Sequence, residues 1–419
     1  MALPNNILQN VQTYNKADLA YLQNINCFVS TANTKYRDFQ KANPANLGDT
    51  ITFDKPSRFV ANDGLVVNFQ GVEQRVQSLV VDQAKNIGID VSAQQLIFNV
   101  DDYMERFGRG AIEELGAVIE SDIAGICETA PYRFYGNGVT PISSFNQLAQ
   151  MLAFFRNFGS AKYDTKCYLS DIIIPDIIGA GLNQFVPAGK NGNEELRNSW
   201  ELGAFAKCDW FTSNLLPEHT AGSEGQAGVT LTVVSVVQDA NGAITAITFS
   251  GTSAANDPLS VLMYDRFQFQ DNVGSLPNIR FRTFIGHKPS ACPVQFKATA
   301  NAGSTGGSQV TVSIDPPLQA AVGKNQNITQ QIVAGMQVKV LPSHRVGMVQ
   351  SGNQFYVAIP PLPDCDPFMT SNEQDPDTAV SLRMYTGAQF GQNLYGTVHD
   401  AIWGKTQVSD NAMAVIFPL

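Results

Sequence analysis

The sequence predicts an α+β protein in which a β-rich domain is inserted into the middle of the chain. Residues 218–346 are rich in Gly, Ser, Thr and β-branched residues, a composition typical of short strands joined by turns. Helical patterns precede this block, and a compact α+β pattern resumes after it. A host fold tolerates an insert of domain size where it presents two neighbouring backbone ends at an exposed loop.

The length and charge of the chain limit the number of its domains and the kinds of function it can have. At 419 residues, it exceeds what one hydrophobic core supports, so we expect two to three domains. Charged residues make up only 15% of the chain, which predicts either an obligate assembly with charge-poor contacts or a monomer with an amide-rich surface. The net charge of −10 argues against a dedicated nucleic-acid binder, although it suits a wall that encloses nucleic acid without adhering to it.

The cysteines and the first residues indicate the compartment. The six cysteines are dispersed without short pairings, so we expect reduced, mostly buried thiols. They are Cys27, Cys127, Cys167, Cys208, Cys292 and Cys365. The first residues lack the charged and apolar regions of a signal peptide, and no apolar run reaches about 18 residues. We therefore expect a protein that folds in a cytoplasm and has no membrane span.

The first 82 residues predict an arm followed by a projecting hairpin. Residues 1–45 are amide-rich with weak helical periodicity, which predicts short helices in an N-terminal arm. Strand-like alternation then begins at Leu47, stops at Pro56, resumes after the turn residues Asn62-Asp63-Gly64 and returns over 75–81. This pattern predicts a β-hairpin within 46–82. Because an isolated hairpin is marginally stable, we expect it to lie against something else.

The strongest helical signal follows, within a predicted domain over 83–140. Apolar residues recur at steps of three and four from Ile97 through Ala111 and Leu115 to Val118, predicting one helix over about 100–128. At 1.5 Å per residue it would be about 40 Å long. Four glycines within it predict close packing or a bend, so we interpret it as a spine helix.

Two further stretches, 141–217 and 347–419, predict one domain that the insert interrupts. In the first, the sequence predicts a helix over 143–158 capped by Ser143 or Ser144, a strand at 168–170, helices after Pro175 and at 194–202, and a strand at 203–211. In the second it predicts strands at 354–359, 380–385, 394–402 and 412–417.

No motif indicates catalysis. The four histidines do not have metal-ligand spacing, and no cysteine pair has zinc spacing. The three Gly-x-Gly sequences do not continue as nucleotide-binding loops, and no G-x-S-x-G is present. We therefore predict no catalytic residues, no cofactor, no metal and no enzyme activity, with an unrecognised active site as the alternative.

Basic residues offer candidate contacts. Lys55, Arg58 and Arg75 lie on the predicted hairpin and are candidates for pairing with acids of a neighbouring copy. The alternative is solvated loop charges worth about 0–1 kcal/mol each. Arginines alternate with phenylalanines at 266–269 and 280–284, which favours strands with a basic outer face over a stacking platform for single-stranded nucleic acid.

The order of arm, hairpin, spine helix and α/β body resembles the Hong Kong 97 (HK-97) coat fold. Short motifs also resemble major capsid (coat) proteins of short-tailed double-stranded-DNA phages of the P-22 type. They are Met1-Ala2-Leu3-Pro4-Asn5, Asn46-Leu47-Gly48-Asp49-Thr50-Ile51 before Lys55-Pro56, the stretch 214–222 that begins Asn214-Leu215-Leu216-Pro217, Phe355-Tyr356-Val357-Ala358 continuing to Pro363, Ser381-Leu382-Arg383-Met384, and Tyr395-Gly396-Thr397-Val398. The resemblance spans nearly the whole chain, and its weight lies in the order of the motifs.

The resemblance implies a domain layout. It implies an α+β, HK-97-like coat fold with an N-arm (1–45), an E-loop hairpin (46–82) and a peripheral domain with the spine helix (83–140). An axial domain would occupy 141–217 and 347–419, the latter returning to the peripheral domain. The insert over 218–346 would be a β-barrel domain on the outer surface.

The resemblance also implies a structural function. Copies would assemble as pentamers and hexamers into an icosahedral head, with a scaffolding protein and a portal protein as partners. The head would enclose double-stranded DNA without sequence-specific binding. The protein would belong to the virion and be assembled in the host cytoplasm. The alternative is another virion or secretion component, such as a tail tube or an adhesin-like β-module.

Overall fold

The fold is known from a computed structural model. It describes residues 15–16, 19, 27–33, 50–55, 57–61, 69–72, 74–92, 109–158, 165–173, 175–176, 204–205, 208–226, 230–251, 259–271, 273–274, 276–283, 286–304, 308–352, 355–365, 368–374, 380–388, 394–407 and 411–419. The chain divides into two compact units. The first comprises 1–55, 76–126 and 353–408, and the second comprises 56–75, 127–352 and 409–419.

The described residues form five helices and a larger set of strands. The helices are α1 (Cys27–Thr31), α2 (Arg109–Ala124), α3 (Ile126–Thr129), α4 (Phe145–Asn157) and α5 (Ser223–Gln226), with a 3₁₀ turn at Asp171–Ile173. The strands are β1 (Thr50–Lys55), β2 (Arg75–Ser92), β3 (Phe134–Tyr135), β4 (Thr165–Ser170), β5 (Ala204–Phe205), β6 (Cys208–Ser213), β7 (Glu218–His219), β8 (Thr230–Gln238), β9 (Ile244–Ser250), β10 (Ser260–Val261), β11 (Arg266–Phe269), β12 (Arg280–Arg282), β13 (Pro289–Pro293), β14 (Gln295–Ala298), β15 (Ala302–Gly303), β16 (Gln309–Leu318), β17 (Gln337–Val340), β18 (His344–Ser351), β19 (Phe355–Ala358), β20 (Met369–Gln374), β21 (Ser381–Ala388), β22 (Leu394–Gln407) and β23 (Ala412–Phe417). Among these helices, none has the length and apolar character needed to cross a membrane.

The first unit is built on a six-stranded sheet in the order β1-β2-β22-β21-β20, with β19 also paired to β22. The antiparallel ladder between β2 and β22 runs from Val81 opposite Gly404 to Ser92 opposite Leu394. It therefore joins the second strand of the predicted hairpin to a strand near residue 400. Trp403 on β22 is fully buried and donates a hydrogen bond from Nε1 to Oδ2 of Asp122 on α2 at 2.8 Å.

The predicted spine helix is present in part, and its buried face differs from the prediction. The described helix ends at Ala124, because Gly125 forms a turn before α3 begins. A Cβ at Gly125 would lie 3.0 Å from the carbonyl oxygen of Asp122. Besides the predicted Ala111 and Leu115, α2 buries residues that the sequence analysis did not select, among them Ile112, Ile119 and Ile123, whereas Val118 is only half-buried. Residues 93–108 lie outside the described chain.

The second unit contains a mixed sheet in the order β3-β23-β18-β4-β6-β5, with β7 paired to β18. The β4–β6 and β23–β3 pairs are parallel. Helix α4 begins where the sequence predicts, because the hydroxyl of Ser144 accepts a hydrogen bond from the backbone N–H of Gln147 at 3.3 Å. Its buried face carries Leu148, Met151, Leu152 and Phe155, the spacing of an amphipathic helix.

The same unit contains a closed barrel in the order β11-β14-β16-β9-β8-β17. The predicted β-barrel character of the insert is thereby confirmed, while the domain boundaries at 218 and 346 stay a prediction. The barrel core centres on three nearly parallel rings. The ring of Phe267 lies 5.8 Å from that of Phe249 and 5.0 Å from that of Phe296, measured between centroids.

The remaining strand predictions are largely met, although several strands are longer than predicted. The strands predicted near 168–170, 354–359, 380–385, 394–402 and 412–417 correspond to β4, β19, β21, β22 and β23. The second hairpin strand does not stop at Val81 but continues as β2 to Ser92. Pairing with β22 extends it beyond the alternating apolar pattern. The predicted helix at 194–202 and most of the N-terminal arm lie outside the described residues.

Candidate assembly surface and buried ionic cluster

The three basic candidates lie on β1, on β2 and in the segment between these strands. Lys55 ends β1, Arg75 begins β2, and Arg58 lies between them; each is half-buried. Lys55 belongs to the first unit, whereas Arg58 and Arg75 belong to the second. Their contact with acids of a neighbouring copy stays a prediction.

Large apolar side chains project from the excursion segment, which we define as residues 56–75. Phe59 is 57% exposed, Phe69 is 92% exposed and Val72 is 69% exposed. Single exposed apolar residues are ordinary, but a concentration of large ones within one short segment is typical of an interaction surface. Sequence reasoning selected the charged residues of this segment and missed these. The available signal was an apolar hairpin too small to bury its own side chains.

Polar contacts hold the backbone of the excursion segment in place. The side-chain oxygen of Gln70 accepts from the backbone N–H of Val60 at 3.0 Å, which ties the two arms of the segment together. Nε2 of His287 donates to the carbonyl of Phe59 at 3.3 Å, and Nζ of Lys324 donates to the carbonyl of Gly71 at 3.0 Å. Both donors come from the insert. The apolar side chains are therefore presented on an anchored backbone.

A buried ionic cluster lies where the chain enters and leaves the insert. Nδ1 of His219 lies 2.7 Å from Oε1 of Glu128, and Nε2 lies 2.8 Å from Oδ1 of Asp265. The guanidinium of Arg266 donates to the carbonyl of Glu128 at 2.9 Å, and its Nη1 lies 3.3 Å from Nε2 of His344. His219, Asp265, Arg266 and His344 are each at most 3% exposed.

The local fold explains why these side chains meet. Strands β7 and β18 pair antiparallel with His219 opposite His344, so the first and last strands around the insert are neighbours. The next turn allows a close backbone approach, because a Cβ at Gly222 would lie 2.1 Å from the carbonyl oxygen of Ser260. The backbone N–H groups of Gly222 and Leu262 then donate to Oδ2 of Asp265, at 3.2 and 2.7 Å.

The two histidines of the cluster differ in pKa because their charged neighbours differ. Burial, together with the nearby Arg266 cation, lowers the pKa of His344 to about 3, and its Nδ1 donates to the carbonyl of Pro342. Burial also lowers the pKa of Arg266, to about 10, which leaves it a cation at neutral pH. Burial acts to lower the pKa of His219 as well, but its hydrogen bonds to Asp265 and Glu128 outweigh this effect, and the net pKa lies above 6.5.

Other buried polar side chains of the barrel reach the segment between α3 and β3. Oε1 of Gln295 accepts a hydrogen bond from the backbone N–H of Phe134, and its Nε2 donates to the carbonyl of the same residue, both at 2.9 Å. Nζ of Lys297 donates to the carbonyls of Thr129 and Ala130. Because each of these groups is buried and hydrogen-bonded, the barrel docks at a specific position on the rest of this unit.

These hydrogen bonds and ion pairs hold segments of the second unit together. Within the described part of the chain, no group of three or more His, Cys, Asp or Glu side chains is placed to hold a metal ion. None of the six cysteines, all of which lie among the described residues, forms a disulfide. Burial, reinforced by the neighbouring Cys208, raises the pKa of the Cys167 thiol well above its usual range, which keeps it protonated and unreactive.

Comparisons with known proteins give likenesses only among solved structures. No family model and no curated protein matches the chain. A structure from Mycobacterium phage Che8 aligns with 93% of this chain and 90% of its own, at 8% identity and a TM-score of 0.45. The capsid structure of Cyanophage P-SCSP1u covers 88% and 84% at 9% identity and a TM-score of 0.42. The capsid asymmetric unit of Cyanophage Pam1 covers 89% and 86% at 9% identity and a TM-score of 0.42. The solved structures to which this chain is similar thus include phage capsids, at scores too low to establish a common fold.

Proposed function

We propose that this chain is the major capsid protein of a short-tailed, double-stranded-DNA phage with an HK-97-like coat fold. Copies form pentamers and hexamers of an icosahedral shell, with a scaffolding protein during assembly and a portal protein at one vertex. The shell encloses DNA without reading its sequence, and the protein has no catalytic role. It is assembled in the host cytoplasm and resides in the virion.

The observation that carries this proposal is the anchored excursion segment. Its backbone is held by His287 and Lys324, yet Phe59 and Phe69 remain largely exposed. Burying a phenylalanine side chain contributes about 1.5–3 kcal/mol, so a copy that covers both would gain substantially. The sequence motifs of P-22-type coat proteins and the low charge of the chain support the same conclusion. In the proposed shell, Lys55, Arg58 and Arg75 contact acidic residues of the neighbouring copy.

Assembly is the direct test. The purified chain, alone and with its scaffolding protein, is followed by sedimentation velocity and negative-stain electron microscopy. We expect capsomers and closed shells. A stable monomer at micromolar concentration that does not assemble with scaffolding protein would contradict the capsid proposal, and ring stacks or fibres would favour a tail-tube or adhesin-like component instead.

A matched pair of variants tests the excursion segment separately. Phe69 and Val322 are both 92% exposed in the second unit. We expect Phe69→Asp to prevent shell formation, because a carboxylate cannot be buried against an apolar partner surface. Val322→Asp should assemble normally, and both variants should keep the thermal stability of the parent. Normal shells from Phe69→Asp would remove the excursion segment from the interface while leaving the capsid proposal intact.

A further inference from the structure

The buried cluster around His219 has a geometry that a neutral histidine cannot satisfy. A neutral imidazole has one N–H donor and one acceptor nitrogen, whereas an ionised carboxylate only accepts. Both ring nitrogens of His219 lie within 2.8 Å of carboxylate oxygens, from Glu128 and Asp265. A neutral ring would place one nitrogen lone pair against an oxygen lone pair. With both carboxylates ionised, both hydrogen bonds form only when both nitrogens carry protons.

Asp265 also accepts hydrogen bonds from the backbone. Its Oδ2 accepts from the backbone N–H groups of Leu262 and Gly222. Arg266 supplies a second cation, so Glu128, Asp265, Arg266 and a protonated His219 form a neutral set of two anions and two cations. Such a set avoids leaving an unpaired charge in a buried site.

The neutral ring of His344 borders the remaining side of the site. The ring of His344 lies 5.3 Å from that of His219, centroid to centroid. Its Nε2 lies next to Nη1 of Arg266 and can only accept there, while its Nδ1 donates to Pro342. Among the described residues, the charged or titratable groups that face His219 are Glu128 from α3, Asp265 just before β11, Arg266 at the start of β11, and His344 from β18.

We propose that His219 is an imidazolium that locks the insert onto the rest of its unit, and that removal of one of its protons loosens this lock. The lock joins three segments that are remote in sequence: α3, the strand entering the insert, and the first residues of β11. When His219 loses a proton, the carboxylate of either Glu128 or Asp265 loses its hydrogen bond to the imidazole ring. The inference concerns the single chain and holds whether or not copies assemble into a shell.

The direction of the pH effect follows from the partners. A histidine whose folded-state pKa lies above 6.5 contributes stability that is fully present below pH 6.5 and is lost as the pH rises through the folded-state value. The equilibrium constant for opening the lock changes about tenfold for each unit of that shift. The lock is therefore closed in mildly acidic solution and weakens in alkaline solution.

The protonation state is measured on the full chain by selective ¹⁵N labelling of histidine. The chain has only four histidines, which keeps the spectrum simple. At pH 6 we expect both ring nitrogens of His219 to carry protons, whereas His344 serves as an internal control with one protonated nitrogen. A singly protonated His219 at pH 6 would overturn the proposal.

The lock itself is measured by amide hydrogen exchange at Gly222 and Leu262, whose N–H groups bond to Asp265. Protection, corrected for the intrinsic pH dependence of exchange, should fall as His219 deprotonates. In His219→Gln it should be low and independent of pH. Should His219→Gln fail to fold, Glu128→Gln keeps the shape of the site and should lower the pH at which protection is lost. Protection that stays unchanged through the titration of His219 would refute the lock.

Discussion

Glu120 should make the stability of the first unit depend on pH in the direction opposite to that of most carboxylates. This residue lies on α2 and is 1% exposed. Its Oε1 accepts from the backbone N–H of Phe28 at the start of α1, at 2.7 Å. Its Oε2 has no hydrogen-bond partner among the described residues. Burial raises its pKa from 4.5 to about 7, against the opposing backbone hydrogen bonds of Phe28, Val29 and Cys27.

The size of this pH effect on stability follows from the two pKa values of Glu120, 4.5 in the unfolded chain and about 7 in the folded one. Below pH 4.5 the carboxyl is protonated in both the folded and the unfolded state, so it adds no pH dependence. Between 4.5 and 7 the unfolded chain loses the proton while the folded chain keeps it, and the free energy of unfolding decreases. From pH 5 to pH 8 this amounts to about 2–3 kcal/mol. Glu120→Gln, which cannot ionise, should lack this decrease.

Urea unfolding of the parent, Glu120→Gln and Glu114→Gln at pH 5 and pH 8 tests the reasoning. Glu114 is an exposed glutamate on the same helix and serves as the matched control. We expect the parent and Glu114→Gln to lose stability together on going to pH 8, relative to Glu120→Gln. Parallel pH profiles for all three proteins would show that Glu120 is solvated and would refute the argument.

Three further predictions concern the second unit. Phe267→Ala removes the ring that packs on both Phe249 and Phe296, and should cost about 3–5 kcal/mol in denaturant unfolding, with Phe267→Leu costing less. Gly347→Ala places a Cβ 2.3 Å from the carbonyl oxygen of Tyr168 and should lower the melting temperature sharply, whereas Gly71→Ala, with no atom within 4 Å, should not. Residues 218–346, expressed alone, should give the cooperative unfolding of a folded β domain; a molten circular-dichroism and NMR signature would contradict this.

The elements that the sequence predicted well are those set by local pattern. Helix α4 has a capping serine, Ser144, and an amphipathic face, and both are visible within sixteen residues. The β character of the insert is a matter of composition. The break at Gly125 was open in the sequence, because the glycines of the spine helix permit either close packing or a bend. Tertiary packing determines that the helix breaks at Gly125, and the periodicity of the sequence does not show this packing.

The ionic cluster could not have been predicted from the sequence. Glu128, His219 and Asp265 are separated by 91 and 46 positions, and no spacing rule connects them. The pairing of β7 with β18 brings them together. The exposed phenylalanines of the excursion segment had a weak signal, since an apolar hairpin without its own core needs a partner. Only the positions of Phe59 and Phe69 in the fold show which side chains remain uncovered.

The adjacency of β7 and β18 also sets an order of events during synthesis. Strand β18 lies between β23 and β4 in the sheet, so the sheet cannot be completed until the ribosome has made the whole insert. At about 5–20 residues per second, the insert delays this by roughly 6–25 s. All six strands of the barrel are complete at Val340, before His344 begins β18. The barrel can therefore fold first and hold β18 beside β7. The other strands of the sheet then pair with a strand that is already close to its final position.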